Sequence, residues 1–292
     1  VNDILQDNRV MTMRDYLRKG LAGQYDEREA GNIIHELFRT FMGWSKTDLI
    51  ANQHAHISES EILRFHFALK ELKKGKPLHY VLGKAWFRGR EYMVNPSVLI
   101  PRPETEELVS LVVQEYQRQS LSILDVGTGS GCIAVSLALE LPEAAVSAID
   151  ISGEAIDVAM HNAASHGADV RFMQCDILRE IPGQQFDVVV SNPPYIPETE
   201  KNEIPENVTA FEPHLALFTP DNDSMLFYRR MIEERSQLLR PGGQFFFEIH
   251  EDYKSALETM LNAYQDIQYT FYRDMQEKWR MLIVSFPFEN QD

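Results

Sequence analysis

Only two cysteines occur in the 292 residues, Cys132 and Cys175, and neither has a pair of histidines nearby. That excludes a disulfide framework and any zinc spacing, and leaves two reduced thiols in packed elements. His54 and His56 lack further ligands close in sequence and read as polar loop or helix-edge residues. Nowhere is there a run of the roughly 18–20 apolar residues that a membrane span needs. Val1 to Gly20 mixes Asp, Arg and Lys with apolar residues and holds no signal-peptide core, so a cytoplasmic location is expected. Positive charge is also scarce: 28 Lys and Arg stand against 44 Asp and Glu, a formal charge of −16. A protein that grips phosphate backbones carries a basic surface, because counterion release supplies most of that affinity. The balance therefore weighs against a nucleic-acid substrate and suits a basic protein partner.

What is present divides in two. Residues 11 to about 80 carry apolar positions at helical spacing, in Ile33, Ile34, Leu37, Phe38 and Phe41 and again in Ile62, Leu63, Phe65, Phe67, Leu69 and Leu72. Ser58 followed by Glu61 is a capping-box pattern, and Gly43 and Gly75 read as stops. Lys73, Lys74 and Lys76 read as a solvated helix end. No convergent catalytic set lies in this small helical bundle, which points to substrate binding over residues 1–80. Residues 81–100 alternate Trp86, Phe87, Tyr92 and Val94 with turn formers, as in a short hairpin linker. From residue 101 to the end, strands expected at 121–125, 145–150, 170–174, 186–191, 244–249, 267–272 and 280–286 alternate with helices. One such helix is bounded by Ser152 as N-cap and Gly167 as stop. The pattern describes an α/β domain with an open, largely parallel, Rossmann-like sheet covered on both faces.

The strand ending in Asp125 runs into Val-Gly127-Thr128-Gly129-Ser-Gly131 and then a helix from Cys132 to Glu140. A glycine-rich turn between strand and helix lets backbone approach a ligand closely. The next strand ends in Asp150, at the spacing where an acid accepts hydrogen bonds from ribose hydroxyls. A dinucleotide and S-adenosylmethionine both fit that much. The dinucleotide fingerprint needs Gly or Ala where Cys132 stands, so Gly-x-Gly-x-Gly suits S-adenosylmethionine better. Asp176, after the strand 170–174, is placed to contact an adenine amino group or is a plain strand-end acid.

The strand ending in Ser191 runs directly into Asn192-Pro193-Pro194-Tyr195. Ligands sit at the carboxyl ends of strands in such sheets, so these four residues should face the reacting methyl group. Two prolines fix the backbone and donate no N–H, leaving rigidly aimed carbonyls. The Asn192 side-chain oxygen and the Pro193 carbonyl can each accept one N–H of an amide or aromatic amine, holding its nitrogen in line with a sulfonium methyl. Tyr195 can stack on the flat target. An adenine-N6 methyltransferase acting on DNA or RNA would use the same four residues and the same glycine loop, but would need a basic recognition region. A protein that binds the cofactor without turnover is the other alternative.

These strings, with Phe87-Arg-Gly89, Leu99-Ile-Pro101-Arg102-Pro103-Glu104-Thr105-Glu106 and Phe211-Glu-Pro213, resemble the HemK/PrmC family of protein-(glutamine-N5) methyltransferases. The resemblance runs from about residue 10 to the end, and the Pro-Arg-Pro-Glu-Thr-Glu string is its specific part. It implies a class I S-adenosylmethionine-dependent methyltransferase domain preceded by a helical bundle and a hairpin. It implies as substrate the glutamine of the Gly-Gly-Gln loop in class 1 peptide chain release factors. Gly127, Gly129, Gly131, Asp150 and Asn192 match the family's cofactor contacts, with Asp125 and Thr128 in the same loop, and Asn192 to Tyr195 match its glutamine clamp. Arg102 and Glu104 are expected to shape the site entrance or to cap the helix over 104–116. Three positions depart from the family pattern: Ile177 follows Asp176, Glu248-Ile-His250 replaces a Glu followed shortly by Gly, and Glu277 stands where Gly is common.

Overall fold

The computed structural model describes residues 7–286, and the chain divides into two compact units between Gly83 and Lys84. The first is all helical: Val10–Leu21, Glu27–Met42, Lys46–Ala51, Glu59–Leu72 and Leu78–Leu82. Asp26 and Ser58 cap their helices from the side chain, Ser58 in the reciprocal box with Glu61. Gly43 ends its helix in the left-handed conformation, whereas the helix expected to stop at Gly75 already ends at Leu72. The core gathers Met13, Leu17, Leu21, Ile33, Ile34, Leu37, Phe38, Phe65 and Leu69. In the fourth helix the buried stripe is Ile62, Phe65, Leu69 and Leu72, at strict three- and four-residue steps. Leu63 and Phe67 fall off that stripe and lie exposed, against the expectation from apolar spacing. Lys73 and Lys74 join Lys19, Lys70, Tyr16 and His66 around a cleft of about 480 Å³.

The second unit opens with a hairpin, β1 (Lys84–Phe87) and β2 (Arg90–Met93), turned by Arg88 and Gly89 at φ 49° and 71°. Its inner residues Phe87 and Tyr92 are buried in the same core as the helices that follow, and Tyr92 Oη lies 3.0 Å from Ser136 Oγ. Arg88 adds an ion pair to Glu140 at 2.5 Å. The remaining strands are β3 (Ser122–Val126), β4 (Ala145–Asp150), β5 (Val170–Gln174), β6 (Phe186–Ser191), β7 (Ile196–Pro197), β8 (Phe218–Thr219), β9 (Leu239–Glu248), β10 (Gln268–Arg273) and β11 (Trp279–Ser285). Seven of them form one sheet in the order β10-β11-β9-β6-β3-β4-β5, parallel except at β10 and β11. β7 and β8 make a small separate pair within the excursion that follows β6.

Strands buried on both faces read as continuous apolar runs, and Val188-Val189-Val190 and Phe245-Phe246-Phe247 are such runs. Ile123, Val188, Val190 and Phe246 pack one face beneath helices Pro103–Glu115 and Cys132–Glu140. Leu124, Val189, Phe245 and Phe247 pack the other beneath helices Leu226–Glu233 and Lys254–Leu261. Full burial of each such side chain stabilises by about 1.5–3 kcal/mol. β9 starts five residues earlier than periodicity suggests, because Arg240-Pro-Gly-Gly243 extends the strand through an irregular register, with Leu239 opposite Phe186.

Candidate active site

Three strand ends meet at the carboxyl edge of the sheet. The register pairs Val126 with Ile149 on one side and with Ser191 on the other, so Gly127, Asp150 and Asn192 leave the sheet side by side. Ser191 Oγ donates to the Val126 carbonyl at 2.7 Å and locks that alignment. The glycine loop turns back by donating from Gly127 N and Thr128 N to the Ile149 carbonyl, at 2.9 and 3.0 Å. Gly127, Gly129 and Gly131 all have positive φ, where a side chain is strained. A Cβ on Gly127 or Gly129 would meet nothing within 4 Å, so open space lies beside this backbone. A Cβ on Gly131 would lie 2.9 Å from Ala159 Cβ, so that glycine serves helix packing.

Two carboxylates line the loop. Asp150 accepts from Gly129 N and Ser152 N, both at 2.9 Å, and burial raises its pKa. Asp125 is fully buried; one oxygen accepts from Thr128 Oγ1 at 2.7 Å and Ala134 N at 3.2 Å. Its other oxygen, Oδ1, has no hydrogen-bond partner among the described residues, and burial pushes this acid up to about 7. An orphaned carboxylate oxygen beside an open glycine loop fits a ligand that brings a donor or a positive charge, as the ammonium and sulfonium of S-adenosylmethionine do. Asp176 follows Cys175, whose N–H donates to the Asp150 carbonyl, and its own carboxylate accepts from Leu178 N at 3.0 Å. Ile177 after it turns inward to 5% exposure, whereas Ile151, after Asp150, stays 44% exposed. Of the two apolar residues that follow strand-end acids, Ile151 is thus the exposed one.

On the other side of Asn192 the structure assembles residues far apart in sequence. Asn192 Nδ2 donates to Thr105 Oγ1 at 3.3 Å, and Thr105 Oγ1 donates to Glu248 Oε2 at 2.6 Å. Thr105 and Glu248 are both 3% exposed. Glu248 ends β9 at the same sheet edge, and burial raises it to about 7. Pro193 is buried, and Pro194 and Tyr195 are half-buried. The Tyr195 ring lies 5.5 Å from that of His250, which lies 5.0 Å from that of Tyr253, so the departure at His250 builds an aromatic wall. Enclosure raises the Tyr195 phenol to about 12, which keeps it neutral.

Arg102 occupies the N-cap position of helix Pro103–Glu115 without capping it from its side chain. Its guanidinium pairs at 2.7 Å with Glu212, whose other oxygen accepts from Ile100 N at 3.3 Å. The pair fastens the excursion after β6 to the segment before the helix. Glu104 sits in that helix's first turn. Thr105, Glu212, Glu248 and His250 were not assigned roles by sequence reasoning, although each lies in a string that it singled out.

A family model, the PrmC N-terminal domain, matches residues 13–83, and another, the methyltransferase small domain, matches 105–210. The chain is similar to the release factor glutamine methyltransferase of Flavobacterium psychrophilum, 39% identical over 282 residues, covering 95% of this chain and 99% of that one. It is 41% identical over 257 residues to the release factor glutamine methyltransferase of Bacteroides thetaiotaomicron, covering 87% of this chain and 92% of that one. In fold it is similar to a methyltransferase from Pyrococcus furiosus, at a TM-score of 0.53 and 17% identity, covering 79% of this chain and all of that one. With relatives this similar over nearly their whole length, the chain belongs to the family of release factor glutamine methyltransferases.

Proposed function

We propose that this chain methylates the side-chain amide nitrogen, N5, of the glutamine in the Gly-Gly-Gln loop of class 1 peptide chain release factors, in the cytoplasm. The observation that carries the reading is the adjacency of two strand ends: the rigid Asn192-Pro193-Pro194-Tyr195 turn leaves the sheet beside the open glycine loop. S-adenosylmethionine, when bound, supplies an electrophilic methyl group on a sulfonium. Asp125, Gly127, Thr128, Gly129, Gly131, Asp150, Asp176 and Asn192 are the residues that would hold it.

An amide nitrogen is a poor nucleophile, since its lone pair is delocalised into the carbonyl. Asn192 Oδ1 and the Pro193 carbonyl accept its two hydrogens, and both lie on one side of the nitrogen. That turns the lone pair toward the methyl and favours a pyramidal nitrogen. With S-adenosylmethionine bound, the nitrogen so held would take the methyl group as its bond to sulfur broke, and the surplus proton of the methylated nitrogen would pass to solvent. Pro194 stiffens the turn and Tyr195 covers the flat face of the amide. Arg102 and Glu104 border the entrance, and residues 1–80 bind the body of the release factor. The partner is a protein, with no direct nucleic-acid contact.

The test is transfer of a radiolabelled methyl group to a release factor beside its Gln→Ala variant in the Gly-Gly-Gln loop. Label on the first alone is expected. Label on neither, with label on DNA or RNA, would overturn the reading.

A further inference from the structure

We infer that Thr105 and Glu248 are positioning residues that fix which face of the Asn192 amide meets the substrate; this rests on the clamp reading above. The argument is one of hydrogen counting. A threonine hydroxyl has one hydrogen, and above about pH 7, where burial no longer keeps Glu248 protonated, its ionised carboxylate only accepts. Thr105 Oγ1 gives its hydrogen to Glu248 at 2.6 Å, so toward Asn192 it presents only lone pairs. The group of Asn192 facing it must therefore be the NH₂, as the 3.3 Å contact from Nδ2 has it. The amide oxygen is then left pointing away from Thr105, free to accept from a substrate N–H.

A flipped amide would set oxygen against oxygen with no hydrogen between them. It would also offer the substrate a donor where the clamp needs an acceptor. Nothing in Asn192 alone chooses between the two orientations, which are nearly identical in shape. The relay chooses, and its polarity starts at the carboxylate.

The cost of keeping Glu248 there supports a purpose. It is 3% exposed at the end of a central strand, where an apolar residue would be cheaper to bury. The charges of Arg280 on β11 and of Arg102 favour its ionised form, while Glu104 on the neighbouring helix opposes it. Tyr228 reaches this residue only through its backbone carbonyl, at 2.9 Å. The carboxylate thus has Thr105 as its side-chain hydrogen-bond partner among the described residues.

The experiment compares wild type, Thr105→Val, Thr105→Ser, Glu248→Leu and the Val/Leu double variant, with a release factor and S-adenosylmethionine. Thr105→Val keeps the shape and removes the hydroxyl. We expect kcat to fall on the order of 10–100-fold, with KM for both substrates and the melting temperature near wild type. Thr105→Ser should restore kcat, since the hydroxyl returns. Glu248→Leu should lose a similar factor, and the double variant should be no worse than the poorer single one, because the two act as one unit. Losses that multiply in the double variant, or Thr105→Val with wild-type kcat, would overturn the inference. Should Thr105→Val fail to fold, Glu248→Leu and Thr105→Ser carry the same comparison. Absence of glutamine methylation by wild type would instead defeat the reading of function, so the two failures are distinguishable.

Discussion

Replacing Gly131 with alanine should damage this protein differently from replacing Gly127 or Gly129, although all three belong to one loop. Gly131 has φ +78°, and an added Cβ would sit 2.9 Å from Ala159 Cβ and 3.1 Å from its Cα. Those atoms belong to helix Gly153–His166, so they cannot swing aside as the end of a long side chain could. The left-handed conformation costs an L-residue about 1–2 kcal/mol, and overpacking adds about 1–3 kcal/mol. The variant should therefore lose roughly 2–5 kcal/mol of stability. Gly127 and Gly129, at φ +75° and +52°, would meet nothing within 4 Å. They should lose only the conformational share, about 1–2 kcal/mol each, but their new methyl groups would stand in the open space proposed to take the cofactor. Urea titration gives the stability order from the midpoints, provided the slopes agree. Calorimetric titration with S-adenosylmethionine gives the second order. Gly127→Ala and Gly129→Ala should bind the cofactor worse than their stability losses suggest. If they bind it as wild type does, the loop is not its seat. If Gly131→Ala is no less stable than they are, the packing argument fails.

Removing residues 1–83 should raise KM for a whole release factor far more than for a short Gly-Gly-Gln peptide, and equal effects in the two assays would sink the docking role. Glu248 holds its proton to about pH 7 in the fold but only to 4.5 in the unfolded chain. Its contribution therefore favours the fold fully below pH 4.5 and is lost as pH rises through 7, by up to roughly 3 kcal/mol. Glu248→Gln should flatten that part of the stability–pH curve, leaving the share of Asp125, which is raised for the same reason; superimposable curves would refute the burial argument. Arg102→Met should cost about 3 kcal/mol in chemical denaturation, because it strips the ion pair from a Glu212 side chain that is only 1% exposed. The companion Arg102→Met/Glu212→Gln variant should recover part of that loss, and no recovery would mean the pair is not what holds the segment.

The sheet was legible because its strands advertise themselves locally. Val188-Val189-Val190 lies between turn formers, and the helix from Gly153 carries its own cap at Ser152 and stop at Gly167. The glycine-rich turn was legible for a related reason, since strand, glycines and helix are contiguous. Periodicity misjudged Leu63 and Phe67, because hydrophobicity says that a residue can be buried and only the stripe geometry says which ones are. It also treated residues 81–100 as a linker, whereas Phe87 and Tyr92 pack into the second unit's core, a preference that only the tertiary partners reveal. The relay behind Asn192 was out of reach. Its two hydrogen bonds span 87 and 143 positions, and no spacing rule links a helix's first turn to a strand that distant.

The proposed clamp of one amide oxygen and one backbone carbonyl would accept any planar NH₂, so the choice between a protein amide and a nucleobase must be made by what surrounds it. The guanidiniums whose charge reaches Tyr195 are those of Arg280 and Arg102. Each is committed to a buried carboxylate, Arg102 to Glu212 at 2.7 Å and Arg280 to Asp274 at 3.3 Å. Glu104 and Glu248 add negative charge toward the same ring. A nucleic-acid strand entering here would bring a phosphate for each nucleotide to a ring whose two neighbouring guanidiniums are already paired with carboxylates. A loop of two glycines and a glutamine brings no charge. Its small residues let the backbone come close, and its one amide supplies both hydrogens that the clamp accepts. The chain's −16 charge points the same way as the local pairing, so composition and site geometry select the same class of substrate.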